Sequence, residues 1–150
     1  LFNLDAKPII KKHGRVLNIY SRELVDFFKK MNLFPGNKIT NQSTIPRWIF
    51  KDNRLLSACL RGLIDTDGSI FRMSKRDKNL IRINFTNYDR TLLEDTRKGF
   101  IQLGYHPSES GNSKKFYLSR QDEVEQYLKE IGFSNKKHLD RVNEFFSPVG

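Results

Sequence analysis

What this chain lacks narrows it first. It has one cysteine, Cys59, in 150 residues. That excludes a disulfide framework and a zinc ribbon, and makes a reducing compartment the default. No run approaches the ~18 consecutive apolar residues of a membrane span, and nothing at the start has the layout of a signal peptide, so no membrane partner is expected. The chain opens on Leu1 rather than Met, which points to a trimmed chain or a piece of a longer polypeptide. Acidic residues are scarce: 17 stand against 27 Lys and Arg, for a net charge of +10. Such an excess points to a polyanionic partner, nucleic acid above all, because each neutralised phosphate releases counterions. His13, His106 and His138 share no metal-ligand spacing and are assigned no chemistry. An intracellular protein, of a prokaryotic cytoplasm or an organelle, is the expectation.

What is present is enough for a folded core, with 12 Phe and 5 Tyr beside a full aliphatic set. The pattern predicts a strand over Val16–Tyr20 and a helix from Arg22 to about Met31, capped by Ser21. Asp52 can cap a second helix through Leu56, Leu60 and Ile64, which Gly68 ends. Ser69–Met73 and Ile81–Asn87 read as a hairpin. In its second strand Ile81, Ile83 and Phe85 alternate with Arg82, Asn84 and Thr86, the period of a sheet with one wet face. A helix over Arg90–Leu103 follows, then a second hairpin from Tyr105–Ser108 and Lys114–Ser119, a helix over Gln121–Ile131 and a last helix to about Phe146. The fold class is therefore α+β: an α-β-β-α-β-β-α unit whose antiparallel sheet is covered by helices on one side.

Residues 23–38 echo residues 123–136. At an offset of 100, Leu24 matches Val124, Phe27 matches Tyr127, Lys29 matches Lys129 and Met31 matches Ile131. Each copy follows a short strand and exits on Asn-Lys. Residues 1–44 then read as a partial first repeat and residues 45–150 as a complete unit.

The segment "CLRGLIDTDGSI" is the odd one. A helix closes on two carboxylates, Asp65 and Asp67, where its dipole is already negative and disfavours more negative charge. That arrangement invites a cation. Ala58, Gly62 and Thr66, spaced four apart, form a stripe of small side chains that lets another helix approach closely. A partner helix would bring its own counterpart of Asp67 alongside. The two carboxylates would repel unless divalent cations, magnesium or manganese, lay between them. A calcium loop is excluded: with Gly68 at the loop glycine, the first ligand position falls on Leu63 and the last on Ser74.

Leu60 to Gly68 resembles the namesake motif of the LAGLIDADG homing endonucleases at every place but two, where Arg61 and Thr66 replace alanines. "IPRWI", Ile45 to Ile49, is similar to the lead-in of intein-associated and archaeal members. The resemblance implies the family's α-β-β-α-β-β-α fold and a metal-dependent, site-specific double-strand DNA endonuclease. It implies that Asp67, with the main chain at Gly68, holds the catalytic metal, and that Asp65 steadies the helix end. It makes Lys136 or Lys137 the candidate basic catalytic residue, with Lys38 as counterpart in the partial repeat. It also implies a saddle-shaped polar sheet face in the DNA major groove, here with Arg72, Ser74, Arg82, Asn84, Thr86, Lys115 and Tyr117. Lys75 and Arg76, in the hairpin turn, are the candidates for phosphate contact.

The sequence departs from that family in carrying one motif where two are needed. A homodimer through Ala58, Gly62 and Thr66, or an absent N-terminal half, would supply the second. An RNA-splicing maturase or a non-cleaving DNA-binding protein could use the same fold and charge. A basic ribosome-associated protein has no use for the small stripe or for Asp67.

Overall fold

The computed structural model describes residues 7–12, 14–31, 33–36, 42–74, 80–108 and 114–146. The chain divides into two compact units, Leu1–Pro35 and Gly36–Gly150. Among the described residues no helix is long and apolar enough to cross a membrane.

The first unit is a hairpin and a helix. β1 (Pro8–Lys11) pairs antiparallel with β2 (Gly14–Leu17), Ile9 opposite Val16. The strand expected over Val16–Tyr20 thus starts earlier and ends at Leu17, because its partner β1 extends no further than Pro8. α1 (Arg22–Lys30) begins where Ser21 Oγ accepts a hydrogen bond from the Leu24 N–H at 3.2 Å. Glu23 in its first turn and Lys29 and Lys30 in its last complement the helix dipole. No residue of α1 is buried.

The second unit holds the core. α2 (Asn53–Asp67) follows a 3₁₀ turn, Ile49–Lys51, and is capped by Asp52, whose carboxylate accepts from the Arg54 N–H at 2.8 Å. The Arg54 guanidinium, bonded to the same carboxylate, lowers its pKa. Leu56, Leu60 and Ile64, four apart, are fully buried. β3 (Gly68–Arg72), β4 (Ile81–Thr86) and β5 (Lys115–Leu118) form an antiparallel sheet in the order β3-β4-β5. Ile70, Ile81, Ile83, Phe85, Phe116 and Leu118 turn one sheet face into the core beneath α2. α3 (Arg90–Gln102) crosses between β4 and β5. Asp89 caps it through the Thr91 and Leu92 N–H groups, and it approaches α2 closely at Gly99, where a Cβ would stand 3.1 Å from a Leu60 methyl. α4 (Gln121–Glu130) adds Val124 and Tyr127 to the core, and α5 (Lys136–Phe146) follows.

The second expected hairpin is half formed. The Ser108 N–H donates to Tyr117 O at 2.9 Å, but the His106 N–H turns instead to the buried Glu123 carboxylate, also at 2.9 Å. Residues 105–108 are therefore stapled to α4 by Glu123, and among the described residues the sheet has three paired strands rather than four.

Candidate functional site

The motif helix ends against the sheet because nothing larger than glycine fits at its exit. A Cβ on Gly68 would lie 2.6 Å from Ile64 O and 2.9 Å from Asn84 O, both main-chain atoms. Gly68 itself is in ordinary extended conformation, so the demand is for space rather than for an unusual dihedral. The N–H of Gly68 closes the last turn on Ile64 O. Asp67, the residue before it, is thereby set at the mouth of the sheet.

Asp67 is half-buried, and its Oδ2 accepts a hydrogen bond from Asn87 Nδ2 at 2.9 Å. Asn87 is itself buried, with its Oδ1 accepting from the Asp89 N–H and its own N–H donating to Lys114 O. Asp89 in turn holds the start of α3 and the Ser43 N–H. A chain of fixed groups therefore runs from Asp67 back into the scaffold. Sequence reasoning missed Asn87; the signal available was "TNYD", an Asn directly after a strand and just before a helix-capping Asp.

Asp65 points elsewhere. Its Oδ2 accepts from the Ser134 N–H at 2.9 Å, and its main-chain oxygen accepts from Asn135 Nδ2 at 2.9 Å. Asn135 Oδ1 also accepts from the Lys137 N–H at the start of α5. The two carboxylates of the motif thus have different work, Asp65 joining the end of α2 to the start of α5. Lys136 and Lys137 are brought to that junction. The Lys136 ammonium is bound by Asp140, both oxygens at 2.8 Å, in an exposed pair. His138, next in the helix, is buried against the Phe133 ring, and burial lowers its pKa while Asp65 opposes the shift.

The open sheet face carries Arg82, Asn84, Thr86, Lys115 and Tyr117, because Asn84 pairs with Tyr117 and Thr86 with Lys115 across the β4–β5 ladder. Arg82 Nε and Asn84 Oδ1 are shielded from solvent without a hydrogen-bond partner among the described residues. Arg72 is a correction to the expected face. In the register of β3 it shares the side of Ile70, which pairs with Ile83 in the core. Its guanidinium lies 4.8 Å from the Phe145 ring centre and donates to Phe145 O at 3.2 Å. Phe71, opposite Arg82, takes the place on the open face that Arg72 was expected to fill. Ser74 lies beyond the end of β3 and is exposed. Lys38, Lys75 and Arg76 lie outside the described residues.

Ala58, Gly62 and Thr66 are all exposed, on the side of α2 away from Leu56, Leu60 and Ile64. Thr66 Oγ1 bonds back to Leu63 O at 3.0 Å, which leaves the stripe without an outward polar demand from that hydroxyl. Space beside Gly62 is open for 4 Å around a Cβ.

As to metal, Asp67 and the adjoining main chain offer oxygen, the donor a hard divalent ion takes. One or two carboxylates are what magnesium commonly uses when phosphates and retained waters supply the rest of its shell. Among the described residues no group of three or more His, Cys, Asp or Glu is assembled, so a cage made by this chain alone is not built there. The donor set fits an ion shared with a phosphate or with a second carboxylate.

The family profile of the LAGLIDADG-like domain matches residues 54–132, from the start of α2 to just past α4. Over 161 aligned positions the chain is 27% identical to the isomerizing glutamine–fructose-6-phosphate aminotransferase of Methanocaldococcus jannaschii. That alignment takes in 99% of this chain and 14% of the archaeal protein, so the chain spans a small part of that relative.

Proposed function

Since the chain belongs to the family of LAGLIDADG-like domains, we propose that it is a site-specific, divalent-metal-dependent endonuclease of double-stranded DNA. The observation that carries this reading is Asp67. It is a half-buried carboxylate at the end of the motif helix, oriented by Asn87 and set at the mouth of an open sheet face bearing Arg82, Asn84, Thr86, Lys115 and Tyr117. The net charge of +10 supports a phosphate-rich partner.

In this reading Asp67, with the main chain at Gly68, would hold a magnesium or manganese ion. When bound, such an ion would supply an activated water and offset charge developing on the phosphate. Asn87 keeps the carboxylate turned toward that position. Lys137, at the start of α5, is the better placed of the two lysines to assist, because the Lys136 ammonium is engaged by Asp140. The open sheet face lies in the major groove, which admits a β-ribbon. Two copies pair through Ala58, Gly62 and Thr66 and so supply two Asp67 carboxylates. Residues 1–44 are a partial first repeat. The aminotransferase activity named for the archaeal relative is not part of this proposal, since the chain covers 14% of that protein.

The test is cleavage of a randomised duplex library with and without magnesium, by the parent and by Asp67→Asn. Metal-dependent cleavage by the parent, lost in Asp67→Asn while duplex affinity stays within a few-fold, is expected. Binding without cleavage by the parent would assign the chain to the non-cleaving use of the fold, and preference for a structured RNA would assign it to splicing.

A further inference from the structure

The open sheet face is not uniformly polar. Phe71 stands in it opposite Arg82, and its ring meets that of Tyr117 edge-on at 6.4 Å. The core does not need this phenyl, because Ile70 and Ile83 close the other face of the same strands. Yet Phe71 is left partly exposed among Arg, Asn, Thr and Lys, where apolar area is unfavourable in water. Tyr117 sits between two cations, the Arg82 guanidinium 5.5 Å and the Lys115 ammonium 5.6 Å from its ring centre. The patch is therefore an apolar step beside a guanidinium held in place by a ring.

We infer that Phe71, backed by Tyr117, is a specificity-determining residue that recognises the 5-methyl group of a thymine in the major groove. This rests on the reading of the chain as a binder of duplex DNA. A phenyl group cannot hydrogen-bond a base edge, and the feature of a base pair in that groove that rewards an apolar contact is the thymine methyl. Arg82, fixed over Tyr117, then reaches the neighbouring base edge or phosphate. The same patch disfavours duplex RNA, which carries uracil without the methyl and has a major groove too deep and narrow for side chains.

The experiment starts by selecting the preferred duplex of the parent protein from a randomised library in EDTA, so that binding is read without cleavage. Each thymine of that duplex is then replaced in turn by deoxyuridine, which removes only the methyl. At one thymine in each bound half, the replacement should weaken binding roughly fourfold, the value of one buried methyl-sized group. Phe71→Ala should bind the two forms alike, and Phe71→Leu should keep part of the discrimination. Equal binding of the thymine and deoxyuridine forms at every position of the selected duplex would overturn the inference while leaving DNA binding intact. So would a methyl effect that persists in Phe71→Ala. Failure to select any duplex would overturn the DNA-binding reading, and this one with it. The comparison on parent protein needs no variant, so a poorly folding Phe71→Ala does not decide it.

Discussion

Asn87 donates a hydrogen bond to Asp67 across the sheet, 2.9 Å from Nδ2 to Oδ2 and 20 positions apart in the chain. The contact fixes one carboxylate oxygen and so fixes where the other can point. Substitution of such an orienting partner typically costs 10–100-fold in metal affinity or activity. Asn87→Ala should therefore lower metal-dependent cleavage by about that factor. It also leaves the buried Asp89 N–H without its acceptor, at about 1–3 kcal/mol of stability. Asn87→Asp keeps an acceptor for Asp89 but sets a carboxylate against Asp67. That repulsion should cost stability at neutral pH as well as activity. Urea unfolding and cleavage rate, measured on both variants, check the two halves separately.

Gly68→Ala should be poorly tolerated for a reason unconnected with catalysis. The added Cβ meets the carbonyl oxygens of Ile64 and Asn84, and main chain cannot step aside as a flexible side chain can. A loss of about 3 kcal/mol, at the upper end of overpacking costs, is expected in urea unfolding.

Gly62 offers the opposite case. Open space surrounds it, so Gly62→Ala should stabilise the isolated chain by up to about 1 kcal/mol through helix propensity alone. Gly62→Leu should leave the single chain folded but separate paired copies and abolish cleavage. Sedimentation of the parent as a monomer at high concentration, free and on DNA, would defeat pairing through this stripe.

His138 gives the fold a dependence on pH. Burial lowers its pKa below the ordinary 6.5, so the unfolded chain binds the proton first as pH falls. Its contribution to stability is present above about pH 6.5 and is lost as pH drops through the folded value. Unfolding midpoints compared at pH 7.5 and 5.5 should fall less in His138→Leu than in the parent.

Local signals located most of the elements. Asp52 and Asp89 mark helix starts because a carboxylate can satisfy free N–H groups there, and Ile81, Ile83 and Phe85 declare a one-sided strand. β3 was legible as a strand but not as to its faces, since Ile70 and Phe71 are both apolar and adjacent. Only the pairing of Ile70 with Ile83 decides that Phe71 faces out and Arg72 in. The segment 105–108 had the composition of a strand, but the His106 N–H is taken by a glutamate 17 positions away. Asp67 stood out as a candidate from the motif alone. Its partner Asn87 could not, because a side-chain contact across a hairpin leaves no periodic trace.

The clamp at Asp65 also bears on the order of assembly. Its partners, Ser134 and Asn135, come 69 and 70 positions later in the chain. Contacts of such long range are slow to form, since the intervening loop must close first. On a ribosome, β3–β4 pairing and Asn87 can hold Asp67 once residue 87 has emerged, but the clamp at Asp65 must wait for residue 135. An unfinished chain thus carries a motif helix joined to the sheet but not yet to the start of α5, and a cutting centre of the kind proposed would gain Lys137 in its place only after residues 134–137 have been made.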